Sequence, residues 1–513
     1  MKLRLTLCLL ASTLAAQAEV SLPKLFSSHM VLQRDMPIHL WGSATPGESV
    51  TATFHNLTNT ATADLTGRWS LYLPPQPAGG PYTLTVRGTN TITYDDILLG
   101  DLWFASGQSN MEMPLDGFGP DTQIEDAEKE IVAANYPDIR LLLIEKDAAD
   151  YPREDVRATT GWSLCTPASA RTFSAVAYFF ARDLQKALED KKQHVAIGLI
   201  DSTWGGTPAE AWTSLDALGS NASLMPVFAA RAEQADREPT EARLDAFDKQ
   251  ARAEGKPTTP NRDWHPNIES WRPSALYNAM VAPFTPLPIK GVIWYQGEAN
   301  SALNRAGLYD RLFPTLIKDW RQHWAQGNFP FLYVQISAFA SSPKEDWGEL
   351  RDAQRKTLSL INTGMAVTID IGNEHNVHPA NKQAVGERLS LLGRRLAYNE
   401  DVTASGPLFR LAYPDKGSMH VWFDNAAGLH SKNGAAGGSQ VEGFEVAGSD
   451  RVFLRANARI DHEASGDTII VASPAIPNPQ YVRYAWPNFP QANLYNGANL
   501  PASTFTSLEP TRP

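Results

Sequence analysis

Between about residues 97 and 400, short apolar runs alternate with longer segments whose apolar residues recur every three or four positions. Residues 97–104, 139–144, 195–200, 291–295, 331–336 and 365–371 read as strands, and 175–188, 308–324, 349–361 and 382–398 read as helices. A strand with no polar face has to be covered on both sides. Covering it with the intervening helices gives a parallel sheet between helical layers. The expected class is therefore α/β, with a three-layer core spanning 97–400.

The flanks lack that rhythm. From 19 to 96, β-rich stretches such as Ile-His-Leu-Trp at 38–41 and Arg-Trp-Ser-Leu-Tyr-Leu at 68–73 alternate with turn residues at Pro46, Gly47, Gly67 and Gly79 to Pro81. Short strands at this spacing predict a small β-sandwich domain. Trp41 and Trp69 could face a sugar, but burial in the core is the expectation. Residues 401–513 return to β-rich runs and predict a C-terminal β-domain. Residues 216 to about 270 interrupt the core and predict a helical insertion, with a charged helix at 241–254.

The first 18 residues read as a secretory leader: Lys2 and Arg4, an apolar run at 5–14, then Ala16, Gln17 and Ala18 as the cleavage site. The expected location is outside the cytoplasm, periplasmic or extracellular. The leader's apolar run is too short to span a bilayer and no later run is long enough, so no membrane insertion is expected. Once the leader is removed, Cys165 is the only cysteine, which excludes an internal disulfide and a cysteine-based zinc site. It is expected to be a small buried hydrophobe. The net charge of −11 becomes −13 without Lys2 and Arg4, and no basic cluster stands out, so nucleic acid is a poor partner.

Chemistry gathers at the strand exits, which share one edge of a parallel sheet. The run at 97–104 leads to Gly107, Gln108 and Ser109, and that at 195–200 leads to Trp204, Gly205 and Gly206. The run at 291–295 leads to Gln296, Gly297, Glu298, Ala299 and Asn300. The last strand ends near Asp370 and leads to His375 and His378. Singly, each has a plainer explanation: a turn serine, a glycine turn, a surface carboxylate, a histidine capping the next helix. Together they supply the nucleophile, oxyanion donors and general base of acyl transfer. His375 and His378 with Glu374 come nearest to a zinc set, but no third strong ligand is evident, and no metal or organic cofactor is expected.

Gly-Gln-Ser-Asn-Met at 107–111, Trp-Gly-Gly-Thr at 204–207, Trp-Tyr-Gln-Gly-Glu-Ala-Asn at 294–300 and the late His378-Pro379 together resemble the SGNH hydrolase superfamily. Within it they look like the sialate O-acetylesterase-like carbohydrate esterases. The similarity extends to Val-Arg-Tyr-Ala-Trp at 482–486 and Asn-Leu-Tyr-Asn at 493–496, and so covers nearly the whole mature chain. The resemblance implies a flavodoxin-like core and an exported serine esterase acting on an O-acetylated sugar. Ser109 would be the nucleophile and His378 the base. The oxyanion hole would be the Ser109 amide, Gly206 and Asn300, with Gln296 a rival to Asn300 and Glu298 a substrate-binding candidate in the same loop.

The family's acid, three residues before the histidine, is His375 here, and the position two before is Asn376. The imidazole's orienter is therefore open between Asp370 and a backbone carbonyl near Asn376. The missing second glycine of Gly-x-Ser-x-Gly argues against an α/β-hydrolase nucleophile elbow. Sialic acid is the family's acceptor and would want an arginine, for which Arg351 and Arg305 are the candidates. Acetylated xylan or xyloglucan is the alternative acceptor. A catalytically inactive binding protein is disfavoured, because Ser109 and His378 are both present. The sequence does not set the oligomeric state.

Overall fold

A parallel sheet forms the centre of the computed structural model, which describes residues 19–260, 268–432, 440–461 and 468–508. The expected leader at 1–18 and its cleavage site lie outside those residues. The core strands are β1 (Thr91–Gly107), β2 (Tyr136–Leu143), β3 (Ala196–Thr203), β4 (Gly291–Tyr295), β5 (Phe331–Gln335) and β6 (Thr363–Val367). Their spatial order is β6-β5-β4-β1-β3-β2, and each runs parallel to its neighbours. From β1 the chain fills one side with β2 and β3, then crosses to the other side for β4 to β6. That reversal opens a crevice outside the C-terminal end of β1, where α/β sheets hold their ligands.

Neighbouring residues of a strand point to opposite faces. In β1, Trp103 meets Phe180 of α1 (Ala175–Asp190), and Phe104 meets Trp320 of α2 (Tyr309–Trp324). The two helices therefore cover opposite faces. Helix α3 (Trp347–Lys356) packs with α2, and α4 (Lys382–Ala397) packs with α1. The sequence-based α/β assignment holds, with mixed parallel and antiparallel pairing once the flanks are included.

Strand β1 is longer than its apolar run. Residues 91–96 alternate between exposed and partly buried, whereas every residue from Ile97 to Gly107 is buried. Its first half pairs antiparallel with Gly79–Arg87, and its second half lies parallel to β3 and β4. The boundary expected near residue 96 thus falls inside one continuous strand. In the N-terminal region Trp69 is buried, and half-buried Trp41 lies between Phe26 and His39.

The expected insertion carries a helix at Pro226–Ala253, which starts well ahead of the charged stretch at 241–254. A proline at the first turn is compatible with a helix start, and Pro239 lies inside the helix just ahead of 241. Beyond α4 the described residues form antiparallel sheets, including Leu408–Asp415 with Ser418–Asp424 and Phe444–Ala447 with Tyr481–Tyr484. Fully buried Arg351 of α3 fastens this region to the core by donating to the carbonyls of Ala485 (3.0 Å) and Pro487 (2.6 Å). No helix among the described residues is long and apolar enough to cross a membrane.

Candidate active site

Strand β1 ends at Gly107, where φ is +139° and a Cβ would lie 2.1 Å from the Tyr295 carbonyl oxygen of β4. Only glycine lets the chain leave the sheet there. Ser109 follows at the first position of a short helix, Ser109–Glu112. Among the described residues no protein acceptor takes the N–H of Ser109 or of Gly206. The Ser109 hydroxyl lies 2.9 Å from Nε2 of His378, a residue far along the chain in the loop between β6 and α4.

His378 is partly buried, with Phe118 edge-on to its ring at 5.4 Å. Its backbone N–H donates to Oδ1 of Asn376 at 2.9 Å. Burial, and then the nearby Lys382 ammonium, push its pKa down to about 4, so the imidazole is neutral and can accept a proton. Among the described residues no carboxylate pairs with it. Asp370 does not reach His378: it sits in the turn after β6 and gives both oxygens to the Arg388 guanidinium of α4, each at 2.7 Å. The contact expected if Asp370 oriented the ring is absent, because a bidentate arginine has engaged that carboxylate. His375 points to solvent beside Glu374.

The glycine pair lies against the nucleophile. A Cβ on Gly205 would sit 3.2 Å from that of Ser109. The Gly205 N–H donates to the Glu112 carboxylate, which also pairs with Lys146 at 2.5 Å. The Gly206 carbonyl accepts from the Trp271 indole at 2.6 Å.

The loop after β4 is a buried polar network. Asn300 accepts at Oδ1 from Ala209 N–H (2.9 Å) and Gln296 (2.7 Å), and its Nδ2 donates to Glu210 at 2.9 Å. An amide nitrogen carries two protons, so one remains for a ligand. Gln296 is fully buried, and its Nε2 also faces the Thr207 carbonyl (3.2 Å) and Gln108 Oε1 (3.3 Å). Those contacts occupy both protons of its amide nitrogen. Glu298 accepts from Asn110 at 2.6 Å, and burial raises its pKa.

Of the two arginines considered for a carboxylate ligand, Arg351 is spent on backbone carbonyls, and Arg305 pairs with Glu210 and lies over Trp271. Sequence reasoning missed Asn110 and Lys382. The Lys382 ammonium donates to Oδ1 of Asn110 at 2.5 Å, and Asn110 Nδ2 donates onward to the Val377 carbonyl at 3.0 Å. The only sequence signals were the position of Asn110 beside the serine and a lysine at a helix start, where cations are disfavoured.

Known proteins resemble this chain over most of its length. A family model described as "Carbohydrate esterase, sialic acid-specific acetylesterase" matches residues 262–399. The sialate O-acetylesterase of Mus musculus is 30% identical over 93% of this chain and 92% of its own length. That of Homo sapiens is 29% identical, over 94% and 91% respectively. The crystal structure of a carbohydrate acetylesterase from Xanthomonas citri is 36% identical and has a TM-score of 0.80, covering 95% of this chain and 99% of that one. The chain belongs to the sialate O-acetylesterase family of carbohydrate esterases.

Proposed function

We propose that the protein is an exported carbohydrate O-acetylesterase that hydrolyses acetyl esters on sugar hydroxyls, with Ser109 as nucleophile and His378 as general base. The 2.9 Å contact between the Ser109 hydroxyl and His378 Nε2 carries this reading. The two residues come from separate strand exits and meet at the crevice beside β1, next to N–H groups that face no protein acceptor.

Ser109 Oγ attacks the acetyl carbonyl carbon and its proton passes to His378 Nε2. The Ser109 and Gly206 amides and the remaining Nδ2 proton of Asn300 hold the oxyanion, each donor being worth roughly a hundred- to a thousand-fold in turnover. Collapse breaks the ester C–O bond, and the leaving sugar oxygen takes the proton from His378. Water, deprotonated by His378, then attacks the acetyl-serine and releases acetate. With no carboxylate on the imidazole, the pair works as a dyad whose ring is held through its backbone. In this reading the core is of the SGNH type, and the regions at 19–96 and 401–513 are β-domains flanking it.

One observation bears on the sugar. A cavity of about 710 Å³ beside the site is lined by Glu112, Phe118, Glu145, Lys146 and Asp201 among others. Lys146 is already paired to Glu112, and Arg351 and Arg305 are engaged elsewhere. With its one lining cation paired and an aromatic side chain in the wall, the cavity favours a neutral acetylated glycan, such as xylan or xyloglucan, over a sialate carboxylate.

Acetate release by the mature protein and its Ser109→Ala variant tests the reading, on O-acetylated sialic acid, acetylated xylan and xyloglucan oligosaccharides, and aryl acetate. Serine-dependent release is expected, with the neutral glycans preferred. A folded Ser109→Ala protein with wild-type turnover would remove Ser109 from its role.

A further inference from the structure

Lys382 is the first residue of α4, after the Asn381 cap, and is fully buried. A cation is disfavoured there twice over, by the positive end of the helix dipole and by loss of water. Burial pushes its pKa down to about 7. A methionine would fill the space at less cost to folding. Its ammonium lies 2.5 Å from Asn110 Oδ1 and over the Tyr295 ring at 5.4 Å, and forms no ion pair with a carboxylate among the described residues.

We infer that Lys382 is a positioning residue that locks the Asn110 amide, and through it the Val377 carbonyl, so that the imidazole of His378 is held against Ser109. The Lys382 nitrogen carries N–H donors in either protonation state, and it donates to the Asn110 oxygen. The Asn110 NH2 group is thereby turned toward its two acceptors, Glu298 Oε1 at 2.6 Å and the Val377 carbonyl at 3.0 Å. With Lys382 gone, the Asn110 oxygen is left buried without its donor, and the amide is held only by its two acceptors. Val377 precedes His378 in the chain, and the N–H of that same peptide is pinned by the Asn376 side chain at 2.9 Å. Because no carboxylate holds the imidazole, its aim depends on these backbone anchors. Asn110 adjoins the nucleophile, so one side chain ties the serine turn to the base loop.

The inference rests on Ser109 and His378 acting as nucleophile and base, and its test separates the two claims. Lys382→Met, Asn110→Ala, the double variant and Lys382→Gln are compared with wild type and Ser109→Ala. The readouts are aryl acetate hydrolysis, the rate of Ser109 labelling by a fluorophosphonate, and the thermal midpoint as a check on folding. Misaiming a catalytic group typically costs about a hundredfold, so Lys382→Met and Asn110→Ala are each expected to lose about 10- to 100-fold in kcat and in labelling rate. KM should stay within about threefold, because substrate contacts are untouched. The double variant should be no worse than the poorer single variant, since both cut one chain of contacts. Lys382→Gln keeps a donor for Asn110 and should recover most of kcat.

Full kcat in Asn110→Ala, or multiplicative losses in the double variant, would overturn the inference, and the first holds even where Lys382→Met does not fold. An inactive Ser109→Ala beside fully active Lys382 and Asn110 variants would sink the inference alone. An active Ser109→Ala would sink the functional reading beneath it.

Discussion

Neutral imidazole is the form a general base must take, and His378 is kept in it by burial and by the Lys382 charge, with a pKa pushed down to about 4. The partly buried ring faces Phe118 and Ser109, while the buried Glu298 is bound to Asn110. The acid limb of kcat/KM is therefore expected well below 6.5, the ordinary imidazole value, with activity largely kept at pH 5. A limb centred near 6.5 would mean that the ring is solvated in the working enzyme. The same shift has a stability sign. The folded value lies below the unfolded one, so the unfolded chain takes up the proton first as pH falls. The contribution of His378 to stability is present above about 6.5 and is lost as pH falls toward about 4.

At the scale of elements, Asp370 and Arg388 join the turn after β6 to α4, and both side chains are nearly buried. Asp370→Asn is expected to lower the thermal midpoint while reducing kcat by less than about tenfold; loss of a triad acid would cost about ten-thousand-fold. Measuring both on one preparation decides between a clamp and an orienting acid. The strands and their exits could be read in the sequence because parallel strands are apolar throughout and their C-terminal ends share an edge, which marked the loops; the family resemblance then picked Ser109, Gly206, Asn300 and His378 within them. The orienter of His378 was not legible, because sequence spacing does not tell where a carboxylate points. Arg388, a turn and a half into the next helix, decided that. Lys382 was hidden for the same reason: its meaning depends on Asn110, which reaches it only across the fold. The helix at Pro226–Ala253 was half seen, since Pro239 interrupts it just ahead of the stretch read as helical.

At the scale of the molecule, removal of the expected leader would leave one thiol. Cys165 is buried and its thiol is pushed up to about 12 by loss of water, so it is expected to resist thiol reagents in the native protein. After denaturation, titration should find one thiol per exported chain; two would mean that the leader and its Cys8 had been kept. The three regions are also bound to one another by different means. Arg351 rivets the C-terminal sheets to α3 through carbonyls, a fastening that side-chain exchange could undo. The N-terminal region is attached by β1 itself, whose hydrogen-bonded backbone runs from Thr91 in the outer sheet to Gly107, two residues before the nucleophile. Where its two pairings meet, Asp96 takes a φ of +56° and the register with Gly79–Arg87 shifts, so the strand carries a bulge there. The outer sheet is therefore joined to the nucleophile through one strand rather than through a separate linker. Cutting at its expected edge would sever the beam that carries Ser109.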